Sequence, residues 1–159
     1  MLSVDPSNAM IPALTRRRDL DAQHEAWLIH YGDMHVGTIS LHAGEGGVEQ
    51  WAWSCGFYPA SHRGARACGS AKSYDAARAD FEAAWRQLLL EITKADFDEH
   101  RRYRALEAWK RAMRETGCKL PTQVTEGLSR RFCGAPIEIK NVERHVYAAH
   151  LMPQERESA

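Results

Sequence analysis

Trp51, Trp53, Cys55 and Phe57 fall at every second position of residues 48–57 (VEQWAWSCGF), with Gln50, Ala52, Ser54 and Gly56 between them. Alternate residues of a strand share a face, so one side of this strand is aromatic and apolar and the other is small and polar. Upstream, Ala26–Tyr31 (AWLIHY) is aromatic and branched and predicts another strand, with Trp27, Ile29 and Tyr31 on one face. Gly32-Asp33 follows, then the apolar run 34–41 (MHVGTISL). Two such runs around a Gly-Asp pair predict an antiparallel hairpin. Its register stays open: Ile39 and Leu41 share a face with Gly37, Val36 with Thr38, and a slip of one residue exchanges inside for outside. The glycine-rich 43–47 (AGEGG) is a turn, which makes the aromatic strand the third of a meander. Residues 58–67 (YPASHRGARA) are too polar for a core, and 68–72 fit a short fourth strand at the sheet's edge.

The period then changes. Ser73 suits a helix N-cap, with Asp75 in the first turn. Ala77, Phe81, Ala84, Trp85, Leu88 and Ile92 recur at three and four, which predicts a helix over 74–92 with one apolar stripe. That stripe needs a surface, and a face of the sheet is the one on offer. Thr93 with Asp96 is a variant capping box. It opens a second helix over 93–116, closed by Gly117 as the residue after the cap. Phe97, Ala105, Ala108, Trp109, Ala112 and Met113 form its thinner stripe. Residues 119–125 contain Pro121 and read as a linker. The rest, 128–149, divides into short strands or a strand pair and one helical turn.

The fold class expected is α+β: a three- to four-stranded antiparallel meander packed by one long helix, a second helix, and a small C-terminal Cys/His segment. Residues 1–23 lack a sustained period and read as a tail, 24–117 as the domain, and 118–159 as linker and appendage. The 159 residues suit one domain with such an appendage, and 21 Lys and Arg balance 21 Asp and Glu. No global field therefore steers the chain to nucleic acid or acidic membranes. No apolar run is long enough to span a bilayer, and the first residues lack the apolar stretch of a signal peptide. The expected location is the cytoplasm, with the four cysteines reduced or metal-bound.

Four groups of residues are candidates for chemistry or binding. Cys133, His145 and His150, with Cys118 as a fourth ligand behind a linker, have the spacing of half a zinc site, with four residues between the two histidines. Cys133 as an ordinary buried thiol is the competing reading. If the metal is catalytic rather than structural, Glu143 is the nearest general base in sequence. Cys55 with Ser61 and His62 offers a nucleophile and a base, but Cys55 shares its face with Trp51, Trp53 and Phe57, which favours an inert thiol. Trp51 and Trp53 on an open sheet can stack bases, with Arg63, Arg66 and Arg130 for phosphates. Aromatics at a period of two are usually core, and packing of Trp51 and Trp53 under Phe81 and Trp85 is the favoured reading. The basic run 101–114 is interrupted by Glu107, and mixed charge on a helix is normally a solvated face.

Trp27 to Gly37, then Trp-x-Trp-x-Cys-Gly-Phe-Tyr-Pro at 51–59, then an alanine-rich helix with Phe81 and Trp85, resembles small uncharacterised bacterial proteins. These carry a β-meander followed by a helix, and some end in a Cys-x-Cys-Gly…His segment. The resemblance spans 24–150 and implies the fold and no activity. The chain departs from it at Arg131, where the first of those cysteines would stand. Phosphate loops, dinucleotide fingerprints and HExxH motifs do not occur. The function expected is a partner-binding domain for protein or nucleic acid, without catalysis and outside the membrane. The alternatives are a zinc-binding module, with a metal-dependent hydrolase behind it, and a homodimer joined through an edge strand or the second helix.

Overall fold

Five consecutive strands pair as neighbours: β1 (Leu14–Arg18), β2 (Ala26–Tyr31), β3 (Met34–Ala43), β4 (Glu49–Cys55) and β5 (Ala67–Ala71). They form an antiparallel meander in the order β1-β2-β3-β4-β5. The computed structural model describes residues 13–125, 128–130 and 136–149. The chain divides into two units, Met1–Ile92 and Thr93–Ala159. None of the helices is long and apolar enough to cross a membrane, among the described residues.

In the first unit the Gly32-Asp33 turn closes the β2–β3 hairpin, with Gly32 in the left-handed region at φ 61°. The pairing settles the register that the pattern left open. Ile39 lies between Trp27 and Trp53, and Leu41 opposite Trp51. A shift between Ile29 and His30 sets Gly37 opposite both Ile29 and Cys55. Trp53 also pairs with Gly69 of β5, whose missing side chain leaves the indole room to lie against that backbone. Helix α1 (Tyr74–Glu91) covers this face. Ser73 caps it, accepting from the Ala76 N–H at 3.2 Å. Its stripe meets the aromatic rows: Phe81 lies 6.2 Å from Trp53, Trp85 5.2 Å from Tyr31 and 6.2 Å from Phe57, and Tyr74 5.3 Å from Trp51. Phe81 and Trp85 are almost wholly buried, so aromatic area and geometry carry much of this core.

The sheet has five strands where the sequence predicts three or four, and the extra one falls in the expected tail. β1 pairs with β2 from Leu14 opposite Tyr31 to Arg18 opposite Trp27. Leu14, Arg16 and Arg18 take the alternate positions that an apolar strand would fill. The Arg16 guanidinium lies 4.4 Å from the Trp27 ring centre and 4.8 Å from that of Tyr74, and Arg18 lies 5.8 Å from Trp27. Cation–π contact from exposed arginines stands here in place of a hydrophobic side chain, so LTRRR shows no hydrophobic period.

The second unit opens with α2 (Lys94–Glu115). Its capping box forms as expected: Thr93 Oγ1 accepts from the Asp96 N–H, and the buried Asp96 carboxylate accepts from the Thr93 N–H at 2.8 Å. Gly117, at φ 71°, ends the helix while the Cys118 N–H donates to Met113 O at 2.8 Å. A pair of short strands, β6 (Leu128–Arg130) and β7 (Pro136–Glu138), and helix α3 (Val142–Ala149) complete the unit. Trp109 and Met113 of α2 form one core with Ile137 and Val146. The boundary expected at 117/118 therefore moves to Ile92/Thr93: the α2 stripe is covered by the C-terminal segment that the sequence sets apart as an appendage.

Candidate binding surface of the sheet

The aromatic platform is closed. Trp51 and Trp53 face α1 through Tyr74 and Phe81, as the core reading expects, and the alternative of an open base-stacking face does not hold. Arg63 and Arg66 are both exposed on the connection from β4 to β5, and Arg130 ends β6. Part of the basic run of α2 is answered on its own helix. Arg101 pairs with Asp98 at 3.3 Å, Lys94 with Asp98 at 2.8 Å and Lys110 with Glu107 at 2.8 Å, while Arg102 lies 5.7 Å from the Tyr147 ring centre. Such i,i+3 and i,i+4 pairs make a solvated face rather than a phosphate track.

Cys55 and Ser61 do come together, lining a cavity of about 530 Å³ with Ser54, Gly56, Arg66, Ala67 and Cys68. His62 is not among the residues around it; its ring meets Tyr58 edge-on at 5.0 Å. Cys55 is buried, and burial pushes its thiol up to about 12. At neutral pH it is a protonated, poor nucleophile, so the arrangement does not make a Cys–His pair. Cys68 is exposed. A thiol reagent at pH 8, followed by peptide mapping, is expected to label Cys68 within minutes and Cys55 only after denaturant. Equal labelling of the two in the native protein would contradict the burial of Cys55.

Of the zinc candidates, Cys133 and His150 lie outside the described residues. Cys118 packs half-buried against the Trp109 core, and the His145 ring meets Trp109 edge-on at 6.4 Å. Among the described residues, His, Cys, Asp and Glu side chains do not gather in threes able to hold a metal ion. His145 instead borders an open cavity of about 440 Å³ with Glu138, Asn141 and Arg144; Glu143 is exposed and not part of that lining.

Two features of the sheet escape a motif search. The face turned away from α1 carries the alternate residues of each strand, among them His30, Thr38, Ser40, His42, Gln50 and Ser54. It is mixed: Ala26 on it is buried, while Ser40 Oγ lies 2.7 Å from His42 Nε2 and the His30 and His35 rings are 5.5 Å apart. The second is the contrast between the sheet's two edges. β1 carries Arg16, Arg17 and Arg18, the charged guard that keeps an edge from pairing. β5 reads ACGSA, without charge or proline, and Cys68, Gly69 and Ser70 are exposed. Among the described residues, backbone groups of β5 take no hydrogen bond from backbone outside the ladder with β4. Its alternate N–H and C=O groups face outward, and the Arg66 cavity adjoins its first residues. Compared with family models, curated proteins and solved structures, the chain finds no match.

Proposed function

We propose that the chain is a non-catalytic module that binds an extended segment of a partner protein along β5. The observation that carries this reading is the unguarded edge: five uncharged residues on the far side of a sheet whose other edge holds three arginines. Strand addition takes its affinity from main-chain hydrogen bonds and its specificity from pockets for alternate side chains. β5 supplies the first, and the cavity at Ser54, Ser61, Arg66 and Cys68 supplies a place for the second. The guanidinium there favours a partner segment with an acidic side chain at that end.

Selection from a displayed peptide library, followed by amide chemical shifts, tests this. Selected peptides are expected to perturb residues 66–71 and to lose binding when alternate amides of the peptide are N-methylated, which removes the main-chain donors of strand addition. Peptides that bind elsewhere, or a turnover activity that depends on a polar residue of 58–67, would sink the proposal.

The zinc reading has one observation in its favour. Cys118 and His145 border the same core around Trp109, where a metal would staple a small unit. The described residues fall short of a complete ligand set, so this reading rests on Cys133 and His150. Elemental mass spectrometry decides it: one zinc per chain, lost in Cys133→Ser and His150→Ala, supports it, and metal-free protein ends it.

A further inference from the structure

Helix α1 carries more leucine than the sheet uses. Leu88 is buried in the core, but Leu89 is half-buried and Leu90 is 80% exposed. On this flank the helix overhangs the start of β1 and the end of β2. Ala13, Leu14, Tyr31, Trp85, Leu89 and Leu90 enclose an open cavity of about 490 Å³. Its size is that of a small-molecule site, and its lining is mainly apolar with a few polar groups at one side.

Those polar groups are Arg78, Glu82 and Arg86. Arg78 donates to the Glu82 carboxylate at 2.8 Å, and the two neutralise each other. Arg86 has no hydrogen-bond or ion-pair partner among the described residues. Among the described residues the cavity therefore combines apolar walls with one uncompensated guanidinium, two cations standing against one carboxylate. We infer that it binds a small amphipathic carboxylic acid, with an apolar body against Leu14, Trp85, Leu89 and Leu90 and a carboxylate at Arg86. A neutral hydrocarbon leaves the guanidinium unanswered. An organic cation meets it as a like charge. A guanidinium matches the two oxygens of a carboxylate. The site is independent of strand addition at β5, since the two lie at opposite edges of the sheet.

Calorimetric titration of the full chain with decanoate and, in parallel, decanol tests the inference. Decanoate should bind saturably, one per chain, with amide shifts at Leu14, Tyr31 and residues 78–90. Decanol should bind several-fold more weakly, and Arg86→Gln should weaken decanoate roughly threefold while leaving decanol unchanged, the scale of an exposed ion pair. Leu90→Asp touches only an exposed side chain and so leaves folding intact; it should cost binding about tenfold by replacing apolar contact with a repelling charge. Arg111→Gln, on α2, should change nothing. Heat without saturation, decanol as tight as decanoate, or full affinity in Leu90→Asp would overturn the proposal.

Discussion

Gly37→Ala should destabilise the first unit by about 3 kcal/mol, toward the upper end for overpacking. Gly37 sits in β3 where the register shifts, opposite Ile29 on one side and Cys55 on the other. A methyl group there would collide with the Ser54 carbonyl oxygen and stand 2.5 Å from Phe81 Cε2. Neither neighbour can yield easily. The carbonyl belongs to the interior strand β4, paired on both sides, and Phe81 is 1% exposed on the sheet side of α1. For a unit of this size, a loss of that order lowers Tm by roughly 10 °C or more. Thermal and urea unfolding followed at the sheet's aromatic residues would show it. Phe81→Leu in the same chain should recover only part of the loss, because the carbonyl contact remains. A shift under about 2 °C would mean that β3 and β4 do not approach as described.

The aromatic meander and α1 are legible in the sequence because each has a clean period and a cap. Trp51, Trp53 and Phe57 alternate, Ala77, Phe81 and Trp85 recur at helical spacing, and Ser73 closes the helix start. β1 is hidden for a physical reason. Hydropathy records Arg16 and Arg18 as polar, while the fold sets their planar cations against Trp27, and that of Arg16 against Tyr74 as well. The domain boundary is hidden for another. The α2 stripe of Ala105, Trp109 and Met113 says that one side is covered, but only the tertiary contacts with Ile137 and Val146 say by what. The binding surface is half legible. Residues 68–72 read as an edge strand from composition, and Cys55 as an inert thiol from the face it shares. That the Trp face is the covered one, which turns the histidine and serine positions outward, follows from where α1 packs. The α1 flank cavity has a trace in the sequence, three consecutive leucines at 88–90 of which the stripe uses only the first.

Trp109→Ala should be the more damaging change in the second unit, costing about 3–5 kcal/mol. The indole is 3% exposed, and the described core around it has only three other buried residues, Met113, Ile137 and Val146. A core this small has little reserve, so the loss should open the unit rather than leave a cavity in it. Hydrogen exchange reads this locally. Amides in the second half of α2 and in α3 should lose their protection, each unit reporting on itself. Trp109→Phe separates size from polarity. The indole N–H is buried without an acceptor among the described residues, so removing it costs no hydrogen bond and relieves an unsatisfied donor. The phenyl ring keeps most of the apolar volume, and Trp109→Phe should stay within about 1 kcal/mol of the parent. Protection of α3 that survives Trp109→Ala would place the unit's stability elsewhere, and zinc bound by Cys133 and His150 would then be the first alternative to measure.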